Sequence, residues 1–345
     1  MKFDFTTIYD RRGRDAMAVD AVEKIPVFQP NEGFDAIPMW VADMNFATAP
    51  AVTETIRKRL EHPLFGYFMT SDEYFDSIIR WQQRRNGVTG LEKEHIGYEN
   101  GVLGGLMSAL AAVCARGDNV LVHSPTYIGF TRSIENGYHV ITSPLKPDRY
   151  GVQRMDFFDM ETKIKRNDIR AVVFCSPHNP TGRVWEQEEL EHFMDMARRL
   201  NVTVISDEIW SDLTLRGHQH IPLQSVSDDA RQRTVALYAP SKTFNLAGLI
   251  GSYHIVYSEA LHKRMKKESS LSHYNSMNVL SMHALIGAYS DEGSQWVDEL
   301  REVLTENVKY ACRFIRKNLP GVSVQQPEGT YMLFLDCEEY CRRSG

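Results

Sequence analysis

Ala239-Pro240-Ser241-Lys242-Thr243-Phe244-Asn245-Leu246-Ala247-Gly248 sets one lysine in a turn of small, polar and glycine residues. Just before it, Thr234-Val235-Ala236-Leu237-Tyr238 reads as a buried strand. Such a turn makes a poor core, and it is an unusual surface. It suits a lysine mounted at a strand end, where its amine could form a Schiff base with a carbonyl ligand. A lone Ser-Lys pair is equally a solvated surface charge, so the residues upstream decide its meaning.

From Gly101 onward, strands and helices alternate. The segments 119–122, 139–142, 171–175, 202–206 and 253–257 are short β-branched runs without polar alternation, as strands buried on both faces are. Helical periodicity occupies 50–60, 72–85 and 186–200, and from 258 to about 318 the pattern is mainly helical. This alternation implies an α/β fold, a mostly parallel sheet covered by helices. A further strand is expected at 330–335, and the first fifty residues read as irregular.

Four more segments follow predicted strands or open helices. Glu99-Asn100-Gly101-Val102-Leu103-Gly104-Gly105 runs into an apolar helix, so the amides of Gly101, Val102 and Leu103 could cradle a phosphate. A Gly-rich turn packed on a strand fits the same letters. Tyr127 follows the strand at 119–122 and either packs or stacks on a planar ligand. Ser176-Pro177-His178-Asn179-Pro180-Thr181-Gly182 is a stiff turn that aims Asn179, whose amide could donate to a phenolate-like oxygen. Asp207 closes the strand at 202–206. It is a helix cap, a structural ion pair or the partner of a protonated pyridine nitrogen. Together with Lys242, this order points to a pyridoxal 5'-phosphate (PLP) site.

The chain has 345 residues, enough for a large core and more than one domain. A net charge of -6 argues against a nucleic-acid partner, and the basic run at 262–267 reads as a solvated helix face. The five cysteines are odd in number and scattered, and Cys337 and Cys341 lack companions for a zinc site. No disulfide framework or metal is expected, and a reducing, cytoplasmic setting is. Residues 1–5 lack a signal core, and the most apolar stretch, 104–115, is too short to span a bilayer.

The chain resembles the fold-type-I PLP enzymes of the aspartate aminotransferase superfamily over essentially its whole length. Trp40-Val41-Ala42-Asp43-Met44-Asn45-Phe46, Phe65-Gly66-Tyr67, the heptad at 176–182 with Arg183-Val184-Trp185, Ser206-Asp207-Glu208-Ile209 and the segment 239–248 narrow the resemblance. They are similar to the cystathionine β-lyase and cystalysin-type C–S lyases, the branch that includes the maltose-regulon modulator. The resemblance implies a large PLP-binding domain over 50–285 and a smaller α+β domain from 1–49 and 286–345. It implies that Lys242 is the covalent anchor and base. Asp207 would pair with the pyridine nitrogen and Asn179 with the ring hydroxyl oxygen. Tyr127 would stack on the ring, with Ile209 on the opposite face. Gly101, Val102, Leu103 and Ser241 would contact the phosphate, and Ala42 would lie near the substrate carboxylate. Tyr67 would reach a phosphate across a homodimer interface.

Three departures stand out. Trp210 occupies the place where this branch usually has His, and Asn45 the place of an Asp. Relatives also run on past the position of Gly345, and that tail supplies the arginine that grips the substrate carboxylate. The expected activity is α,β-elimination on cystathionine or cysteine S-conjugates, giving thiol, pyruvate and ammonia. Transamination is the alternative. A regulatory binding protein with secondary lyase activity is the second alternative.

Overall fold

The computed structural model describes residues 1–34, 37–270 and 275–344. Its centre is a seven-stranded sheet. In chain order the strands are β1 (Ile96–Glu99), β2 (Asn119–Ser124), β3 (His139–Pro144), β6 (Ala171–Cys175), β7 (Thr203–Asp207), β8 (Thr234–Tyr238) and β9 (Ser252–Ile255). Two short strands, β4 (Lys146–Pro147) and β5 (Gln153–Arg154), pair with each other after β3. The spatial order is β1-β9-β8-β7-β6-β2-β3. The contiguous set from β8 to β3 is parallel, while β9 runs antiparallel to both β8 and β1.

Twelve helices are described: α1 (Met17–Lys24), α2 (Pro50–Leu60), α3 (Asp72–Asn86), α4 (Val102–Val113), α5 (Ile128–Ile134), α6 (Phe157–Arg166), α7 (Gln187–Arg199), α8 (Asp228–Arg233), α9 (Glu259–Ser270), α10 (Val279–Ala288), α11 (Asp291–Asn318) and α12 (Glu338–Ser344). Side chains on each strand point alternately to the two faces, and both faces are covered. Val120, Val122, Val173, Ile205, Val235 and Leu237 join the core beneath α4 and α9. Leu121, Val172, Phe174 and Val204 join the core beneath α6 and α7. That is why these runs show no polar alternation in sequence. A third core gathers α2, α3, α10 and α11 around Trp81, Phe244, Tyr289 and Trp296. Trp81 stacks on Tyr289 with ring centroids 4.5 Å apart.

Several caps follow local chemistry. Asn278 accepts from Ser281 N at the start of α10, and Ser290 from Gly293 N at the start of α11, each filling a donor the helix leaves open. Two expectations are corrected. The run 330–335 is not a continuous strand: only its last residue, Leu335, enters a ladder, β11 (Leu335–Asp336) with β10 (Ser323–Val324), and Thr330 has φ 66° beside an isolated bridge from Gly329 to Thr214. Its apolar residues, Tyr331 to Leu333, pack on the third core instead of forming a ladder. The first fifty residues are not wholly irregular, because 17–24 is helical. Within the mainly helical stretch, 271–274 lie outside the described residues. No helix among the described residues is long and apolar enough to cross a membrane.

Helices α2 and α10 touch closely at Gly287, where an added Cβ would sit 2.5 Å from Ala51 O and 2.8 Å from Thr55 Oγ1. Both are held, since Thr55 itself donates to Ala51 O. Gly287→Ala should therefore destabilise the fold by about 1–3 kcal/mol through overpacking, measured as a lower denaturation midpoint in urea with an unchanged slope.

Candidate active site

The site forms at the carboxyl ends of the parallel strands, where an open α/β sheet leaves room for a ligand. Asp207 is the last residue of β7, and its partner across the register is Cys175, the last residue of β6. Its side chain is only 5% exposed. Oδ1 accepts a hydrogen bond from Ile209 N at 3.0 Å. Burial raises the Asp207 pKa to about 7, opposed by that N–H and by the charge of Lys242. A carboxylate in this position is incompletely satisfied by the protein. It fits a ligand that brings a cationic ring N–H.

Lys242 lies in the turn that follows β8. Phe244 N donates to Pro240 O and Leu246 N to Ser241 O, both at 2.9 Å. The turn is fixed on both sides of the lysine. Phe244 is fully buried, with its ring 5.5 Å from Trp296, and Thr243 Oγ1 donates to Asp212 Oδ2 at 3.1 Å. Asn245 has φ 58°, a left-handed conformation that asparagine tolerates. Its side chain grips Met44 twice: Nδ2 donates to Met44 O at 2.9 Å, and Met44 N donates to Oδ1 at 3.2 Å. This clamp brings the segment at 42–44 over the lysine. Lys242 Nζ donates to Ala42 O at 3.1 Å. Burial lowers the Lys242 pKa, opposed by Asp207 and Asp43, and Asp43 is itself paired with Arg11.

At the start of α4, Gly101 has φ 78° and ψ 157°, a backbone shape that favours glycine. Gly105 N donates to Gly101 O at 3.0 Å, so the amides of Val102, Leu103 and Gly104 belong to the open first turn. Two buried or half-buried groups brace the loop behind it. The Glu99 carboxylate meets His254 Nδ1 at 2.8 Å and accepts from Ser108 Oγ at 3.0 Å. Asn275 Oδ1 accepts from Asn100 N at 2.6 Å, while its Nδ2 donates to Tyr98 O and Glu99 Oε2. Open amides at a helix start fit an anion such as a phosphate.

The remaining candidates divide. Asn179 is half-buried on the loop after β6, which is fixed by His178 N to Arg183 O at 2.8 Å and by Ser176 N to Asp207 O at 3.0 Å. Ile209 is half-buried and packs against both the core beneath α4 and the third core. Ser241 is half-buried in the lysine turn. Tyr127 precedes α5, is 39% exposed and meets Phe130 edge-on at 5.4 Å. Tyr67 is fully exposed between α2 and α3, and within this chain it joins none of the others. Asn45 is exposed and accepts from Arg11 Nη1 at 3.1 Å.

The family described as aminotransferase class I and II matches residues 37–343. The chain belongs to this family. It is 38% identical over 309 residues to the cystathionine beta-lyase PatB of Bacillus subtilis (strain 168), covering 89% of this chain and 79% of that protein. It is 31% identical over 342 residues to the protein MalY of Escherichia coli (strain K12), covering 97% and 84%. Among solved structures, the PLP-bound C–S lyase from Staphylococcus hominis superposes with a TM-score of 0.89 at 32% identity, covering 99% of this chain and 85% of that one. The aminotransferase-type PLP fold type I is thus the fold of this chain.

Three contributors were not assigned from sequence. Asn245 and Thr243 hold the lysine turn, and Asn275 holds the helix loop. Asn245 carried a usable signal, an asparagine in a turn of small residues. Asn275 carried none, since it reaches residues 98–100 only through the tertiary fold.

The donor set fits PLP: an amine in a rigid turn, a buried carboxylate short of a cation, and open amides at a helix start. The carboxylate also makes a prediction. Below the ordinary aspartate range, folded and unfolded chains both carry the Asp207 proton. From there to about pH 7 the unfolded chain has released it while the folded chain keeps it. Stability of the ligand-free protein therefore falls as pH rises through this window and levels above it. Asp207→Asn should flatten that fall. Urea denaturation across pH 4–8 should show the variant more stable than the parent at pH 8 by about 1–3 kcal/mol.

Proposed function

We propose that this protein is a PLP-dependent C–S β-lyase that carries out α,β-elimination on cystathionine or cysteine S-conjugates. The observation that carries the proposal is a desolvated Lys242 near a buried, only partly compensated Asp207 in a chain 38% identical to a cystathionine beta-lyase. Lys242 would anchor PLP, Asp207 would hold its ring nitrogen and Asn179 its ring oxygen. Tyr127 and Ile209 would lie against the ring. The amides of Val102 and Leu103, with Ser241, would hold the phosphate; the Gly101 N–H expected to join them is instead donated to Glu99 O at 3.0 Å, so Gly101 contributes the shape of the loop. Bound there, PLP would supply an electron sink conjugated to the substrate Cα.

The residues of the chain do the rest. The lowered pKa leaves more of the Lys242 amine unprotonated and able to take a proton than an exposed lysine would have. It would remove the Cα proton; the electron pair left at Cα would form the Cα–Cβ double bond as the Cβ–S bond breaks, and the departing thiolate would take a proton from the protonated Lys242 to leave as a thiol. Water then completes conversion of the remaining fragment to pyruvate and ammonia. The Ala42 carbonyl accepts from Nζ and sets its direction, and Ala42 would stand near the substrate carboxylate. Desolvation excludes the water that would otherwise compete for that amine.

We also propose a homodimer with shared active sites, in which Tyr67 reaches the partner's phosphate site. The support is the run of exposed apolar residues at Leu64, Phe65, Tyr67 and Met69, a patch a soluble monomer rarely leaves bare. Residues 50–285 are read as the cofactor-holding domain, and 1–49 with 286–345 as the smaller one, since the large sheet lies wholly within 96–255. A cytoplasmic location is supported by five cysteines that are all free.

Incubation with cystathionine should release thiol and pyruvate in equal amounts. Lys242→Ala should lower that turnover by at least about 10²–10⁴-fold, the usual worth of a positioned base. Unchanged turnover in the variant would remove Lys242 from the mechanism. New amino acid formed from an added α-keto acid, without thiol, would reassign the protein to transamination.

A further inference from the structure

Trp210 is 1% exposed, and its surroundings are specific. It sits three residues after Asp207, on the segment that leaves the carboxyl end of β7. One side of its indole meets Tyr331 edge-on, with ring centroids 4.9 Å apart and an interplanar angle of 77°. Its ring face lies under Lys242, with Nζ 5.7 Å from the ring centroid. Both the Ala42 carbonyl and the Trp210 ring therefore face the same ammonium, one as a hydrogen-bond acceptor and one as a π-surface.

We propose that Trp210 is a positioning residue for Lys242: its ring face holds the Nζ atom and favours the positively charged form of that nitrogen. The proposal rests on the PLP-dependent function above. An indole cannot take or give a proton in this role, so its influence is electrostatic and steric. A cation within about 6 Å of an indole centroid is attracted by the ring quadrupole, most strongly where water is excluded. Other groups also act on Nζ. Asp207 on β7 and Asp43 on the N-terminal segment both favour the cation, with Asp43 shared with Arg11. Tyr331 faces Trp210 and lies close enough to Asp43 to feel its charge, and its own phenol is raised well out of the neutral range by burial. Burial of Nζ works the other way, against charge. Trp210 thus moderates the desolvation of a lysine that must alternate between accepting and releasing a proton. It also keeps Nζ directed when the amine is not otherwise held.

The test uses the PLP-loaded protein and reads the pH midpoint of the cofactor's visible absorption, which reports the charge on the nitrogen it shares with Lys242. Trp210→Leu should lower that midpoint by about half a unit or more, the shift that a cation–π contact of ordinary strength gives. Trp210→Phe keeps an aromatic face and should fall between leucine and tryptophan. A merely structural role predicts lower thermal stability in Trp210→Leu and an unmoved midpoint in both variants, and that outcome would overturn the proposal. Failure of Trp210→Leu to fold leaves the phenylalanine variant to decide: a midpoint equal to the parent's rejects the proposal, and a lowered one sustains it. A parent protein that shows no visible cofactor band would instead reject the PLP-dependent function itself.

Discussion

Two opposed electrostatic costs meet at the carboxyl ends of the central strands. Asp207 is buried where a carboxylate would rather be neutral, and Lys242 is buried where an ammonium would rather be neutral. Each partly relieves the other, but they are not in direct contact, so neither is fully compensated. Proteins rarely tolerate such an arrangement unless a ligand completes it. Much of the surrounding structure serves to keep these two groups from relaxing. The sheet holds Asp207 at a strand end. Phe244 and Thr243 tie the lysine turn into the third core, and Asn245 closes the N-terminal segment over it.

The fold was legible in sequence for the strands and helices that bury both faces. Residues 171–175 and 234–238 are short, β-branched and uninterrupted because helices cover them on each side, and their boundaries match β6 and β8. The run 330–335 carries the same letters for a different reason. Tyr331, Met332 and Leu333 pack against the third core in irregular backbone, and composition alone does not separate these cases. The short helix at 17–24 was invisible because its length and weak capping leave little local signal.

The strand-end positions of the candidate site were legible in a similar way. Gly101, Asn179, Asp207 and Lys242 each follow or end a strand in chain order, so a linear reading picks out positions at the carboxyl ends of the strands. Groups that act through tertiary distance were not recoverable. Asn275 braces the helix loop from 175 residues away, and the Trp210 ring meets Nζ only because two separate turns cross above one sheet edge. Tyr67 marks the opposite limit: its motif is local, but one chain gives it nothing to touch.

The Asn245 clamp has a bearing on how the protein is made. Its two hydrogen bonds to Met44 join residues 201 apart in sequence. During synthesis, the segment at 42–44 leaves the ribosome long before its partner exists. It therefore cannot be ordered by this contact until most of the sheet has been made. Contacts of such separation slow folding, because the loop between them must close before they give any return. The catalytic turn would then be among the last parts of the domain to become native, and an unfinished chain would hold a nearly complete scaffold without a usable amine.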